Sequence, residues 1–304
     1  MPTAETDKPQ SDNSLRDRPE LVSVIIPVRN GAVTLPAQFE ALSKQSHPGR
    51  WEIVVADDGS TDATRAVCEA WSDRLPSLQV VRVPVQAGPG NARNTGAESA
   101  RGALFAFCDA DDVVDERWLE SMVEACLRHD LVGGVQEESR LNSDAVRASR
   151  GARNRRGLGR PLQFLPFAPS SNLAVWSDVF RKLGGMNISY RVAEDVEFSW
   201  RAQLAGYALG HAADSIVHYR YRATPKGVAR QAFDGGWAAT QLYRDFRQAG
   251  AQRPSFSTIV RRWAASIARL PLLLVPSHRL ASMRLIANNA GKVAASIRYR
   301  VLFV

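Results

Sequence analysis

Cysteine is scarce in this chain of 304 residues. Cys68, Cys108 and Cys126 form an odd set with no spacing that suits a disulfide scaffold or, with the five histidines, a metal site. A reducing, cytoplasmic setting follows. Long apolar runs are also missing: Leu270–Pro276 is interrupted by Pro271 and Pro276 and falls far short of the roughly 20 residues that a spanning helix needs. Residues 1–19, rich in Pro, Asp, Ser and Thr, contain no apolar core of a secretory signal, and the first 20 residues read as a disordered lead-in. Acids are missing from the far end, where His218–Val304 contains 15 Lys or Arg against only Asp234 and Asp245. That stretch carries +13 of a net +8, leaving −5 on the rest. The basic end suggests anionic lipid, nucleic acid or another polyanion, whereas an acidic body is the wrong surface for generic DNA binding, which leaves nucleic acid disfavoured and an anionic membrane surface open.

With 45% hydrophobic and 23% charged residues, the composition is that of a folded globular protein. Apolar β-branched runs alternate with helical stretches, the pattern of an α/β fold: a mostly parallel sheet flanked by helices. Strands are predicted over Val22–Val28, Trp51–Ala56, Leu78–Val83, Leu104–Cys108, Leu131–Gln136 and Ser215–Tyr219. Helices are predicted over Val33–Lys44, Asp62–Arg74, Gly90–Ala100, Glu116–Arg128, Trp176–Leu183 and Asp195–Ala205. Ala145–Arg160, with six arginines and no acid, reads as a mobile loop: either a lid over substrate or an inert insertion. From Pro225 onward a C-terminal helical extension is expected. There Leu280, Met283, Ile286 or Ala287, Ala290, Val293 or Ala294 and Ile297 recur at helical spacing among basic residues, either to lie on a membrane or to pack on the body.

Ligands of open α/β sheets bind beyond the carboxyl ends of the strands, so the residues that end each strand matter most. Strand two ends in Asp57-Asp58-Gly59-Ser60-Thr61-Asp62, and strand four in Asp109-Ala110-Asp111-Asp112. Carboxylates so crowded repel one another unless a cation or polar ligand lies among them, and oxygen donors favour Mg²⁺ or Mn²⁺. The bland alternative is an acidic turn capping the next helix. A divalent ion held by few carboxylates completes its shell with phosphates, which points to a nucleoside diphosphate. Gly88–Gly96, reading Gly-Pro-Gly-Asn-Ala-Arg-Asn-Thr-Gly, offers backbone amides and Arg93 to such a ligand but matches neither a dinucleotide fingerprint nor a P-loop.

Val-Ser-Val-Ile-Ile-Pro-Val-Arg-Asn at Val22–Asn30, the Asp-Asp-Gly-Ser-Thr-Asp turn, the Arg93 segment and Asp-Ala-Asp-Asp occur in one order. Together they resemble the family 2 glycosyltransferases over about Leu21–Tyr219. The resemblance implies a GT-A-type fold over residues 21–222, with a nucleotide-sugar-binding half (21–112), an acceptor half (113–222) and the basic extension (223–304). It implies inverting, metal-dependent transfer from a nucleotide-diphosphate sugar, UDP-linked by the family's habit, to a glycan or lipid-linked acceptor. By position, Pro27, Arg29, Asp57, Asp58, Arg93, Asp109, Asp111, Arg201 and Arg220 fall to the donor, with Asp58 reading the base and Asp57 alternatively orienting its turn. Asp111, Asp112 and His218 fall to the metal, with the direct contact left open among Asp109, Asp111 and Asp112.

Inverting transfer needs one base to take the acceptor proton. The segment Ala193-Glu194-Asp195-Val196-Glu197 resembles the family's Glu-Asp helix start, making Asp195 the expected general base and Glu194 an acceptor ligand or orienting neighbour. Without the resemblance, the same acids are ordinary first-turn helix charge. Ser171 and Asn172 fall where relatives line the acceptor pocket, or serve as a helix cap. Arg201 is placed to touch the diphosphate or to brace the site. A catalytically silent nucleotide-sugar or glycan-binding subunit is the rival reading. A nucleotidyltransferase is disfavoured because Pro27-Val28-Arg29-Asn30-Gly31 lacks the glycine-rich loop and lysine it would need.

Overall fold

The computed structural model describes residues 15–150 and 157–304. Its first half repeats strand and helix: β1 (Val22–Val28), α1 (Leu35–Leu42), β2 (Trp51–Asp57), α2 (Thr64–Trp71), β3 (Leu78–Arg82), α3 (Pro89–Ser99) and β4 (Leu104–Cys108). Then follow β5 (Val113–Val114), α4 (Trp118–Cys126), β6 (Leu131–Glu137), α5 (Asp144–Arg150), β7 (Asn172–Trp176), α6 (Ser177–Lys182), α7 (Glu194–Leu204) and β8 (Leu209–His218). The chain ends in α8 (Pro225–Phe246), α9 (Phe256–Ala268) and α10 (Pro276–Tyr299).

All eight strands form one sheet in the order β3-β2-β1-β4-β7-β6-β8-β5. β3, β2, β1 and β4 pair with one another in parallel, whereas β7 runs antiparallel to both β4 and β6. β8 is parallel to β6, with His218 opposite Glu137. One geometric result governs the site. The carboxyl ends of β1, β2, β4, β6 and β8 share a single rim with the amino end of β7, where Asn172 pairs with Cys108. The central strands are apolar and buried, as β1 (Val-Ser-Val-Ile-Ile-Pro-Val) and β4 (Leu-Phe-Ala-Phe-Cys) show, because helices cover both faces.

Three elements depart from the expected ones. β7 was not predicted, and Trp176 was assigned to the following helix; its five residues are all buried, too few for their period to distinguish strand from helix. β8 begins at Leu209 rather than Ser215, because a bulge that shifts the register between Gly134 and Val135 exposes Ala213 and Asp214 and breaks the apolar pattern. The arginine-rich loop was expected from Ala145, but Asp144–Arg150 is helical. Arg150 is held there by Gln231 Oε1 (3.0 Å) and the Arg222 carbonyl (2.8 Å), its guanidinium 4.5 Å from the Tyr221 ring. Residues 151–156 of that loop lie outside the described residues, as do residues 1–14 of the lead-in. Arg16, expected to be disordered, is fixed by Asp130 (2.8 Å), Asp178 (3.2 Å) and the face of Trp176.

The C-terminal helices are seated on the body through Tyr190, Trp200 and Leu242, with the Tyr190 hydroxyl donating to Asp245 (2.6 Å). α8 and α10 cross closely. A β-carbon on Gly236 would lie 2.0 Å from the Asn288 carbonyl oxygen, and one on Gly291 2.0 Å from that of Phe233. The buried face of α10 is therefore Ser282, Asn289, Gly291, Lys292 and Ala295, not the apolar stripe read from the sequence.

Candidate active site

The rim is built from loops that fasten one another. The Asn30 N–H donates to Ser60 Oγ (2.9 Å), the Thr61 N–H to Asn30 Oδ1 (2.8 Å) and the Gly31 N–H to Thr64 Oγ1 (2.9 Å), joining the turns after β1 and β2. Asp57 accepts from the Ser60 N–H (2.8 Å) and so shapes its own turn. Asp58 is buried and its Oδ1 has no hydrogen-bond partner among the described residues. Burial raises its carboxyl, with exposed Arg29 opposing and Asp57 adding. Pro27, two residues before Arg29, lies opposite Ala56 near the end of β1.

Arg93 lies at the centre. Only 2% exposed, it emerges from the first turns of α3 and bridges Asp109 Oδ1 (2.6 Å) at the end of β4 to Glu194 Oε1 (2.7 Å) at the start of α7. Residues 16 and 101 positions away in sequence are thereby held on one guanidinium. The residue before α7, Ala193, adopts a left-handed conformation (φ +66°), costly for a residue with a β-carbon, and this strain aims the first turn at the rim. Asp195 Oδ2 accepts from the Ser170 N–H (3.0 Å) and Oδ1 from the Val196 N–H (2.8 Å). Two of a carboxylate's roughly four acceptor positions are thus used, leaving others for a proton. Burial raises both carboxyls, Glu194 to about 7; Arg93 opposes this at Glu194, as do the Ser170 N–H and Arg93 at Asp195.

The acidic turn after β4 is covered by the segment leaving β8. The Arg220 N–H donates to Asp112 Oδ1 (2.8 Å), Arg220 Nε donates to the Asp111 carbonyl (2.8 Å), and Arg222 lies 3.7 Å from Asp111 Oδ2. Asp112 is 1% exposed and its Oδ2 has no hydrogen-bond partner among the described residues. Burial and then Asp109 raise Asp111 and Asp112 alike. His218 Nδ1 lies 2.8 Å from Glu137 Oε2, while buried Nε2 is unpartnered among the described residues. Burial works to raise Glu137, but Ser139 and His218 together bring it down to about 2. Glu137 is a site residue that the sequence reading missed, though the rule that singled out Asp57 and Asp109, an acid ending a strand, applies to it equally. Among the described residues no three acids, histidines or cysteines form a ready-made metal cage. The orphaned Asp112 oxygen and a histidine whose free nitrogen is set by a carboxylate still suit a cation that takes most of its ligands from a diphosphate.

Two expected ligands do other work. Asn172 is fully buried: its Oδ1 accepts from Trp118 Nε1 (2.8 Å) and its Nδ2 donates to the carbonyls of Val135 (2.9 Å) and Ser215 (3.0 Å), so it knits strands and does not face an acceptor. Arg201 is taken up by Glu197 (2.8 and 2.9 Å) and the carbonyls of Leu183 and Gly185, so it braces the loop before α7, the second of the two roles expected for it. Ser171, buried beside Asn172, accepts from Gln136 Nε2 (2.8 Å). A separate cavity of about 440 Å³ opens beside Leu21, Trp51 and Arg101, at the opposite ends of the strands.

Residues 23–184 match glycosyl transferase family 2, and the chain belongs to that family. It is 32% identical over 198 residues to the glycosyltransferase AglE of Haloferax volcanii, covering 64% of this chain and 65% of that relative. A solved structure of the mannosyltransferase PcManGT from Pyrobaculum calidifontis, in complex with GDP-Man and Mn²⁺, is similar in fold with a TM-score of 0.64. Its identity is 21%, over 92% of this chain and 89% of that one. TarS 1-349 from S. aureus, in complex with UDP-GlcNAc, is similar with a TM-score of 0.57 and 17% identity, over 93% of each chain. The GT-A-like architecture with appended C-terminal helices is thereby established.

Proposed function

We propose that this chain is an inverting glycosyltransferase that moves a sugar from a nucleoside-diphosphate donor to a hydroxyl of a glycan or lipid-linked acceptor. The observation that carries this reading is the Arg93 bridge, which fixes Glu194 and Asp195 beside the acidic end of β4. Asp58, with its orphaned buried oxygen, suits an N–H of the base, which both uracil and guanine present. Asp109 and Arg220 line the path of ribose and diphosphate. Asp111, flanked by Asp112 and His218, would hold Mg²⁺ or Mn²⁺, which when bound supplies positive charge to the departing diphosphate.

Asp195 takes the proton of the acceptor hydroxyl. The acceptor oxygen then bonds to the anomeric carbon from the face opposite the diphosphate, and the bond from that carbon to the phosphate oxygen breaks. One base completes the reaction, so no second catalytic carboxylate is required. Glu194, locked on Arg93, orients its neighbour and the acceptor.

Asp195→Asn keeps an oxygen for the Ser170 N–H but loses the base. Transfer measured with a panel of UDP- and GDP-sugars should fall about 10²–10⁴-fold, while the thermal shift produced by nucleotide with Mn²⁺ stays as in the parent. Full transfer by the variant would refute the assignment of the base. Parent protein that shifts with nucleotide but never turns over would favour the silent binding subunit.

A further inference from the structure

α9 is built inside out. Its only buried residue is Ser266, which accepts from Asn289 Nδ2 (2.8 Å); Arg262 Nη2 donates to Asn288 Oδ1 (2.7 Å), and Ile259 and Trp263 line a crevice with Phe303. Its other large apolar side chains are exposed. Phe256 (81% exposed), Val260, Trp263, Ile267 (65%) and Leu270 fall within an arc of about 80° at ~100° per residue, and Leu274 (82%) continues the stripe through the following turn. A surface helix of a globular protein shows the reverse arrangement. Single exposed leucines need no explanation, but a contiguous stripe of this kind does.

We infer that α9 and the turn Pro271–Leu274 form a membrane-contact face that lies in the headgroup region of an anionic bilayer. Charge selects that occupant. Residues 246–304 contain ten Lys or Arg and no acid, and Arg253, Arg261, Arg269 and Arg279 are exposed around the stripe. A second copy would bring this positive surface against itself, whereas anionic lipid complements it. Trp263 has the amphipathic character that suits the boundary between headgroup and acyl chain. Pro271 and Pro276 remove two backbone donors that would otherwise lose water on entering it. Beneath Trp263, Arg262 and Lys292 share a crevice with Ile259, Phe303 and Val304. No helix among the described residues is long and apolar enough to cross a membrane, so the contact is interfacial. The inference does not rest on the catalytic reading.

Flotation of the full chain with vesicles tests it. Binding to phosphatidylcholine vesicles enriched in phosphatidylglycerol is expected, with little binding to phosphatidylcholine alone and a loss as salt rises. Val260→Ser with Ile267→Ser, both at exposed positions, should weaken binding at least about tenfold with the circular dichroism spectrum and melting temperature unchanged. Arg261→Gln and Arg269→Gln should each weaken it about fivefold. Failure to float with anionic vesicles, or binding indifferent to both sets of variants, would overturn the inference. So would a dimer in sedimentation velocity that Val260→Ser with Ile267→Ser abolishes, since the stripe would then be a contact between copies.

Discussion

Replacing Arg93 by methionine keeps most of the side-chain volume but removes the charge that Asp109 and Glu194 share. Truncating one member of a buried ion pair costs about 3–5 kcal/mol, because the partner is left charged and unpaired. Glu194 has an escape, which makes the loss depend on pH. Its carboxyl already stands near 7 against an ordinary 4.5, raised by burial, with Arg93 the main opposing influence; without Arg93 it rises further. A carboxyl whose pKa is higher in the folded than in the unfolded state binds more protons when folded. Its contribution to stability is therefore complete below 4.5 and drains away as pH climbs through the folded value, at about 1.4 kcal/mol per unit. At pH 8 the variant should lose about 4 kcal/mol relative to the parent. At pH 5.5, where Glu194 is largely protonated in both proteins, the loss should be about 3 kcal/mol. Urea unfolding at the two pH values measures the difference directly. A loss equal at both, or one larger at pH 5.5, would refute the claim that Arg93 works by holding Glu194 ionised.

Asn172→Ala strips partners from Trp118 Nε1 and from the carbonyls of Val135 and Ser215; a loss of about 2–4 kcal/mol is expected in chemical denaturation. If Asn172 contacted acceptor instead, KM for acceptor would rise while stability held. Gly236→Ala places a methyl group against the Asn288 carbonyl and forces α8 and α10 apart. A loss of about 1–3 kcal/mol should appear as faster proteolysis within the C-terminal helices.

The parallel half of the fold was legible because each buried strand is an unbroken apolar run ending in polar residues, as Val22–Val28 and Leu104–Cys108 do. β7 was not, since Asn172–Trp176 becomes a strand only because β4 and β6 leave a slot for it. The acids at Asp57, Asp58 and Asp109–Asp112 stood out by their position after strands, but their partners did not. That Arg93 joins Asp109 to Glu194 depends on how α7 docks, which no local pattern encodes. Asn172 and Arg201 looked like ligands for a related reason: a polar side chain in sequence does not say whether its hydrogen bonds go to substrate or to backbone. The apolar stripe of α10 misled because the close approach at Gly236 and Gly291, not apolar periodicity, decides what α10 buries.

The place of β7 between β4 and β6 also bears on how the molecule is made. Through Glu137 the chain has released β4 and β6 from the ribosome but not the strand that separates them. At about 5–20 residues per second, both edges stay open for several seconds until Trp176 emerges. During that interval two unpaired sheet edges are exposed side by side, and joining them directly would give a closed but wrong topology. Synthesis thus passes through a checkpoint at which premature pairing is the error to avoid, and slowed translation between Glu137 and Asn172 would lengthen the exposure.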